Sequence, residues 1–327
     1  MVLERVLSGM RPTGRLHLGN YLGALDNWVQ LQDDYQCFYF VADWHAFTTD
    51  LPVKGEIQQN TLEMVADWLG AGLDPERSTL FVQSLLPEHA ELHLLFSMIT
   101  PVSWLERVPT YKEMVEQLGI ESPSYGLLGY PLLQSADILM YQPRWVPVGV
   151  DQAPHVELAR EVARRFNHLF GSVFVEPKVK LTAIPRVPGT DGRKMSKSYG
   201  NAIYLADAPD VTVPRVQTMV TDPARQRRTD PGNPDVCPVF DLHRIFTPEP
   251  EQADLAQGCR TAGIGCLDCK GALLTHLMPR LETIRARRAG FAEAPDQIRQ
   301  VLHDGSARAR ATARHTLAAA KAAMGIV

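Results

Sequence analysis

The sequence lacks any apolar run of the roughly 18–20 residues that a membrane-spanning helix needs. Its first nine residues contain neither a long apolar stretch nor a small-residue cleavage site, so we expect no signal peptide. Internal repeats and low-complexity segments are also missing. These absences predict a cytoplasmic protein with no membrane partner.

An excess of positive charge is missing as well. The formal net charge is -4, which argues against a large phosphate-binding surface and leads us to expect no DNA partner. Contact with RNA would require local patches, and the arginine clusters at residues 225–228 and 285–288 are candidates. Either cluster is equally well explained as a solvated helix or loop face.

The 327 residues are 45% hydrophobic and 21% charged, which is typical of a globular protein with two domains. Strand patterns at residues 2–8, 37–42, 79–83 and 145–148 alternate with amphipathic helix patterns, one of them at residues 152–169. This alternation predicts an α/β fold: a Rossmann-type parallel sheet with helices on both faces.

The pattern changes after Gly200. Five prolines punctuate residues 209–234, and only helix patterns follow, at residues 252–261, 271–289, 294–302 and 306–324. We therefore predict a boundary near residue 205, between a Rossmann-type domain (1–205) and an all-helical C-terminal domain (206–327).

A first motif, PTGRLHLGN at residues 12–20, follows the first strand and opens the first helix. Backbone N–H groups at a helix N-terminus favour anions, and His17 and Asn20 add side-chain donors for phosphate oxygens. Gly19 would allow a nucleotide to approach the backbone closely. A plain strand-to-helix turn with an asparagine cap explains the same residues.

A second motif, GTDGRKMSKS at residues 189–198, places three cations and two hydroxyls beside glycines. Lys194 and Lys197 suit a triphosphate whose charge shifts during a reaction. A solvated charged loop is the alternative. The glycine spacings of a dinucleotide fingerprint and of a P-loop do not occur in the chain.

Together these motifs resemble the HIGH and KMSKS signatures of class I aminoacyl-tRNA synthetases. The second matches letter for letter, whereas Asn20 stands where the second histidine often lies, a departure expected in the tryptophan-specific branch. The resemblance implies catalytic roles for His17, Asn20, Lys194 and Lys197, with Mg²⁺ accompanying ATP. It implies ATP contacts from Arg11, Pro12, Thr13, Gly19, Asn20, Gly149, Val150, Asp151, Val187, Lys194, Met195, Ser196, Lys197 and Ser198.

A third stretch, residues 130–139 followed by 146–152, looks like the pocket segments of tryptophanyl-tRNA synthetases. In that family the aspartate at the place of Asp137 accepts the indole N–H, and a carboxylate suits an indole because the indole offers only a donor. The alternative for Asp137 is an exposed helix face. The resemblance implies tryptophan contacts from Asp137, Gln152, Gln134, Tyr130, Val146, Val148, His45 and Leu7.

One family position is less well matched. A lysine that helps to hold the triphosphate in relatives should lie within residues 110–115, where Lys112 is present but Met114 stands near the expected place.

Four of the five cysteines, Cys237, Cys259, Cys266 and Cys269, crowd into 33 residues. In a reducing compartment this pattern favours a metal site over disulfides. The spacing resembles a subset of bacterial tryptophanyl-tRNA synthetases that carry a [4Fe-4S] cluster; Zn²⁺ and unligated thiols remain alternatives. We expect such a cluster to direct Lys270 and Arg260 toward a nucleic acid.

The resemblance implies an enzyme that activates tryptophan with ATP and transfers it to tRNA(Trp), and that forms a homodimer. A tyrosine-specific sister synthetase is the nearest alternative. A non-catalytic paralogue that binds nucleotide or RNA is the alternative from another class.

Overall fold

A computed structural model describes residues 3–48, 55–117, 119, 121–181 and 186–326. Five parallel strands form one sheet in the order β3-β2-β1-β4-β5. Their bounds are β1 Arg5–Met10, β2 Gln36–Val41, β3 Ser78–Val82, β4 Trp145–Val148 and β5 Lys178–Leu181. The four predicted strands are confirmed, although Val2, included in the first prediction, lies outside the described residues. The sequence pattern did not indicate β5, a short strand with no buried residue.

Alternate residues of the central strands enter two separate cores. Val6, Tyr39 and Val41 lie in one core, whereas Leu7 and Phe40 lie in the other. Side chains of a strand alternate between faces, so both faces of the sheet are covered. The predicted helices on both faces are confirmed.

The α-helices before residue 182 lie between the strands or follow them. They are α1 Leu18–Asn20, α2 Asp26–Leu31, α3 Asp43–Ala46, α4 Glu56–Ala71, α5 Glu88–Ser97, α6 Val102–Glu106, α7 Pro109–Gln117, α8 Tyr125–Met140 and α9 Ala153–Phe170. A π-helical segment, Tyr21–Leu25, joins α1 to α2, and short 3-10 turns occur at Gln83–Leu85 and Val150–Gln152. Among the described residues, no helix is long and apolar enough to span a bilayer.

Only helices follow the second motif in the described chain. They are α10 Pro209–Gln217, α11 Pro238–Phe246, α12 Glu249–Arg260, α13 Cys266–Ala292 and α14 Pro295–Ala323, with 3-10 turns at Lys197–Tyr199 and Pro234–Val236. The prediction of two helices at 294–302 and 306–324 is wrong. They form the single helix α14, because Gly305 continues the helix where it packs tightly against the Leu80 backbone.

The C-terminal helices share both cores with the sheet. Leu277 and Ile284 of α13 belong to the core that contains Val6, and Ala309 and Ala313 of α14 belong to the core that contains Leu7. Helix α14 lies along the edge strand β3, where Ser306 Oγ accepts the Val82 N–H at 3.3 Å. The helical part therefore covers the sheet edge that would otherwise be exposed.

Candidate active site

A cavity of about 750 Å³ opens at the carboxyl ends of β1 and β4. Strand order reverses between these two neighbours, because β2 and β3 lie on one side of β1 and β4 and β5 on the other. In open α/β sheets, ligands bind in the crevice at this point.

Most of the predicted site residues line this one cavity. They are Leu7, Arg11, His17, Gly19, Asn20, His45, Tyr130, Gln134, Asp137, Val146, Val148, Gly149, Asp151, Gln152, Val187, Lys194, Met195 and Ser196. Pro12, Thr13, Val150, Lys197 and Ser198 are absent from the lining. The structure thus brings three separate sequence motifs to one opening.

The first motif forms a reciprocally hydrogen-bonded turn at the start of α1. The Asn20 N–H donates to His17 Nδ1 at 3.3 Å, and the His17 N–H donates to Asn20 Oδ1 at 3.2 Å. A Cβ on residue 19 would lie 2.9 Å from the His17 ring, so the turn requires glycine there. The capping prediction and the anion-site prediction are therefore compatible, since the Asn20 amide nitrogen is left as a donor.

His17 is a neutral group in this turn. Burial, followed by the positive charge of Lys197, lowers its pKa to about 4. Because Nδ1 accepts the Asn20 N–H, the neutral ring carries its proton on Nε2. His17 can therefore offer one N–H donor to a phosphate oxygen without adding a charge.

Asn201 holds the second motif in shape, and sequence reasoning missed it. Its buried amide nitrogen donates to Asp191 Oδ1 at 2.7 Å, and its amide oxygen accepts the Ser196 N–H at 2.8 Å. A Cβ on Gly189 would lie 2.3 Å from Asn201 Cγ, so the loop closes tightly around this side chain. The local sequence signal for this role is the position of Asn201 directly after Gly200, at the end of the second motif.

Lys197 joins the second motif to the first. Its ammonium donates to the Thr13 carbonyl oxygen at 2.6 Å and to Thr13 Oγ1 at 3.2 Å. Burial lowers the pKa of Lys197 to about 8, with Asp67 acting against this shift and Arg15 adding to it. Thr13 and Lys197 are 184 residues apart in the chain, and this titratable contact joins the two motifs.

Asp137 is fully buried on α8 and accepts hydrogen bonds at both oxygens. Oδ2 lies 2.9 Å from His45 Nε2, Oδ1 lies 2.7 Å from His89 Nδ1, and the Gln83 amide donates to both oxygens. Burial alone would raise the pKa of this carboxyl, but the hydrogen bonds from the two histidines outweigh burial and lower it. The prediction of an exposed helix face is excluded, because the side chain has no exposed surface.

The partners of Asp137 differ in their access to the cavity. His45 lines the cavity, whereas Gln83 and His89 do not. Tyr141 extends the network, since its hydroxyl lies 2.7 Å from His89 Nε2. Sequence reasoning missed Gln83, His89 and Tyr141; the position of Gln83 at the carboxyl end of β3 was the one available signal.

A second polar group in the cavity lining consists of Thr110, Tyr130 and His155. Thr110 Oγ1 lies 2.7 Å from the Tyr130 hydroxyl and 2.6 Å from His155 Nε2, so it orients the predicted substrate contact Tyr130. In the same segment, Met114 lines the cavity and Lys112 is exposed outside the lining. Within the described residues, neither Lys112 nor Met114 therefore supplies a positive charge to the cavity lining from this segment.

Three of the predicted nucleic-acid contacts are wrong. Arg225 is buried and donates to the carbonyls of Arg228 and Ile264, and Arg288 is paired with Asp67. Lys270 is buried as well, and its ammonium donates to two backbone carbonyls, those of Gln217 and Met219. Folding uses these cations for internal contacts, which a charge pattern alone does not reveal.

The four clustered cysteines come together around the start of α13. Burial and then the charges of Cys237, Cys259 and Cys266 raise the pKa of Cys269 to about 12, so the four thiols are electrostatic neighbours. Arg225 Nη1 lies 3.8 Å from Cys259 Sγ. Within the described residues, no three His, Cys, Asp or Glu side chains are arranged to hold a metal ion.

Comparison with known proteins gives a consistent result. Residues 4–281 match the family model described as tRNA synthetases class I (W and Y). The tryptophan–tRNA ligase of Thermotoga maritima is 49% identical, with 99% of each chain covered, and that of Aquifex aeolicus is 42% identical, with 98% of this chain and all of the relative covered. A tryptophanyl-tRNA synthetase structure from Campylobacter jejuni, complexed with ADP and tryptophan, superposes with a TM-score of 0.87 at 34% identity, covering 98% of this chain and all of that chain.

Proposed function

This chain belongs to the class I tRNA synthetases for tryptophan and tyrosine and is a tryptophan–tRNA ligase, and from this premise we propose how its residues act. The observation that carries the proposal is that both nucleotide motifs and Asp137 line one cavity at the sheet's switch point. In the first step the tryptophan carboxylate attacks the α-phosphorus of ATP. An oxygen–phosphorus bond forms, and the bond to the leaving pyrophosphate breaks. In the second step a terminal ribose hydroxyl of tRNA(Trp) attacks the activated carbonyl, and AMP leaves.

The two motifs bind and stabilise the ATP phosphates. The turn at His17–Asn20 offers a neutral ring N–H, an amide and backbone donors, while Lys194 and Lys197 offer positive charge. Charge that develops on the leaving pyrophosphate is stabilised by such preorganised donors. Mg²⁺ would accompany ATP through phosphate oxygens and water, where it adds further charge neutralisation.

Asp137 and His45 select the indole. Each Asp137 oxygen already accepts hydrogen bonds, and His45 is the donor at the cavity wall, so the indole N–H would take the place of the His45 donor on Oδ2. A wrong amino acid that displaces the His45 donor without supplying its own N–H would leave Oδ2 with one donor fewer. A pocket polar group left unpaired in this way discriminates strongly against that amino acid. Leu7, Val146 and Val148 would surround the ring, and Gln152, with Tyr130 and Gln134, would lie near the ammonium.

ATP–pyrophosphate exchange with each of the twenty amino acids tests this proposal. We expect exchange with tryptophan to exceed exchange with every other amino acid. Faster exchange with tyrosine would identify the tyrosine-specific sister enzyme. A folded protein that binds ATP but gives no exchange with any amino acid would identify a non-catalytic paralogue.

We further propose two functional domains with a boundary near residue 205. Residues 1–205 would bind ATP and tryptophan, and residues 206–327 would contact the tRNA. The exposed arginines Arg227, Arg228 and Arg287 remain available for this contact, unlike Arg225 and Arg288. Because tRNA charging serves translation, we expect the enzyme to act in the cytoplasm.

A [4Fe-4S] cluster on Cys237, Cys259, Cys266 and Cys269 is a second element of the proposal. The chemistry of the residues fits the group: four neighbouring thiols lie beside the buried Arg225 cation, whose Nε has no hydrogen-bond partner among the described residues. A cluster spaces its ligands farther apart than a single ion does, because the metal core lies between them, so it suits four thiols that do not converge on one ion. Such a group would supply structural cross-linking of the α11–α13 region and no step of the tryptophan reaction.

Anaerobic purification with iron and sulfide analysis tests the cluster. About four irons and four sulfides per chain are expected, lost in Cys266→Ser, with charging of tRNA reduced more than exchange. One zinc per chain without sulfide would show that the cysteines bind zinc instead of an iron–sulfur cluster. Metal-free protein with full charging activity would leave the cysteines as ordinary thiols.

We also propose a homodimer. Leu94 of α5, Met98 just after α5, Val102 of α6 and Tyr125 of α8 are 53–69% exposed. Leu94 and Met98 lie one helical turn apart, and the Tyr125 ring contacts His93, so the patch is continuous between α5 and α8. Contiguous exposed apolar surface marks association sites.

A further inference from the structure

Asp67 on α4 belongs to none of the motifs and does not line the cavity, yet it contacts the first motif. Its side chain is fully buried, and Oδ2 accepts the Leu16 N–H at 2.7 Å. Leu16 immediately precedes His17, the residue that caps the turn. A buried carboxylate therefore holds the backbone at the point where the first motif begins.

The other oxygen of Asp67 binds the C-terminal part of the chain. Arg288 Nε of α13 donates to Asp67 Oδ1 at 2.6 Å, and the same guanidinium pairs with Glu63. Helix α13 approaches α4 closely at Gly70, where a Cβ would lie 2.8 Å from Arg288 Cβ and 2.9 Å from the Ile284 carbonyl oxygen. The close packing fixes the guanidinium relative to α4.

Two backbone hydrogen bonds also hold the turn. The Leu18 N–H donates to the Ile203 carbonyl, and the Leu205 N–H donates to the Leu16 carbonyl, each at 2.9 Å. These bonds tie the turn to residues 203–205, whereas Asp67 is the side chain that ties it to α4. Burial raises the pKa of Asp67, although the Leu16 N–H and Arg288 oppose that rise.

We infer that Asp67 and Arg288 form a positioning pair that fixes the ATP-binding turn and makes the nucleotide site depend on helix α13. The inference rests on the proposed role of the turn in ATP binding. Neither residue lines the cavity, so Asp67 acts through its hydrogen bond to the Leu16 N–H, next to His17, and through its charge, which opposes the lowering of the Lys197 pKa. Small misplacements of binding groups change rates by large factors. Among the described residues, the hydrogen bonds of this pair include none to the proposed tryptophan contacts.

Exchange kinetics of Asp67→Asn, Arg288→Met and the double variant test the pair. Asparagine keeps the size of the side chain but has one acceptor oxygen, so its N–H₂ group faces either the Leu16 N–H or Arg288 Nε and one of the two hydrogen bonds is lost. We expect the KM for ATP to rise about tenfold or more in each variant, with the KM for tryptophan changing less than about twofold. Arg288→Lys should show a smaller loss than Arg288→Met, because an ammonium restores the charge without the planar fork by which the guanidinium bridges Asp67 and Glu63.

The double variant keeps the test valid if a single variant folds poorly. Removing both partners avoids an uncompensated buried charge, and it should still show the raised KM for ATP. Lys321→Met is the matched control, because Lys321 pairs with Glu91 at 2.6 Å and so also links a C-terminal helix to the sheet region. That variant should keep both KM values.

Calorimetric binding of ATP separates this inference from the proposed function. Weaker ATP binding in Asp67→Asn with normal tryptophan binding supports the pair, even if exchange fails in the parent protein. Folded variants with unchanged ATP affinity, or with equal losses for both substrates, would overturn it.

Discussion

His17 and Lys197 contribute differently to the charge at the proposed phosphate site. Burial holds His17 neutral, with a pKa of about 4, and brings the pKa of Lys197 to about 8. The two motifs thus present one neutral donor and one cation that titrates close to neutral pH. Because the charged form of a lysine is the lower-pH form, the proposed phosphate stabilisation by Lys197 would be fully present well below pH 8, half lost near pH 8 and absent well above it.

Lys197→Ala should slow adenylate formation about 100-fold, the effect of losing one stabilising donor of about 3 kcal/mol. In the unaltered protein, kcat/KM for ATP, which reports groups of the free enzyme, should fall as pH rises through about 8. Lys197→Arg should move this decline to higher pH, because a guanidinium stays charged. Measured exchange profiles that are flat to pH 9.5 would assign the phosphate charge to another group.

Asp137→Ala should weaken tryptophan activation by about 1.5–3 kcal/mol, as expected for a hydrogen bond to a charged group. Affinity for ATP should remain nearly constant, because the phosphate motifs do not contact Asp137. Exchange kinetics with varied tryptophan measure the effect, with Glu157→Gln on the exposed face of α9 as a control charge removal. A variant that keeps both its KM for tryptophan and its preference over tyrosine would show that another group recognises the ring.

At the scale of elements, α14 and β3 form the tightest junction between the helical part and the sheet. A Cβ on Gly305 would lie 1.7 Å from the Leu80 carbonyl oxygen and 2.7 Å from its carbon. The helix also anchors itself through Arg314, whose Nε lies 3.1 Å from Glu88 Oε1, next to His89 of the Asp137 network. Loss of this junction would therefore expose the β3 edge and loosen α5.

Gly305→Ala should destabilise the protein by about 1–3 kcal/mol, because the methyl group would overlap backbone atoms that cannot rotate away. Gly271→Ala on α13, where no atom lies within 4 Å of the added Cβ, should instead stabilise by about 0.5–1 kcal/mol. Denaturant unfolding of both variants measures the difference. Equal stabilities would mean that α14 moves away from β3 without loss.

At the scale of the whole molecule, the exposed apolar patch around Met98 lies apart from the cavity-lining residues. Its members come from α5, α6 and α8, and α5 and α8 also carry His89 and Asp137. Association through this patch would thus buttress the helices behind the tryptophan pocket.

Met98→Lys should convert a dimer to a monomer, because burying an unpaired ammonium in an apolar interface is strongly unfavourable. Light scattering on a sizing column measures the mass. Val211→Lys, on the exposed surface of α10, is the control and should leave the mass unchanged. A parent protein that is monomeric at micromolar concentration would refute the homodimer.

The sequence alone determined the strand-and-helix alternation, the two nucleotide motifs and the position of Asp137, because each of these depends on residues that are adjacent in the chain. It missed β5, which has no buried residue, and divided α14 at Gly305, because a glycine in isolation indicates a helix end. Gln83, His89 and Asn201, which hydrogen-bond to residues of the candidate site, and the proposed Asp67–Arg288 positioning pair were identified only in the tertiary structure. Their partners lie 54, 48, 10 and 221 residues away in the chain, and no local pattern records a hydrogen bond across such separations. The same reason explains why the prediction of RNA contacts failed for Arg225, Arg288 and Lys270. The sequence shows that a residue is basic, but only the fold shows which carbonyl or carboxylate it binds.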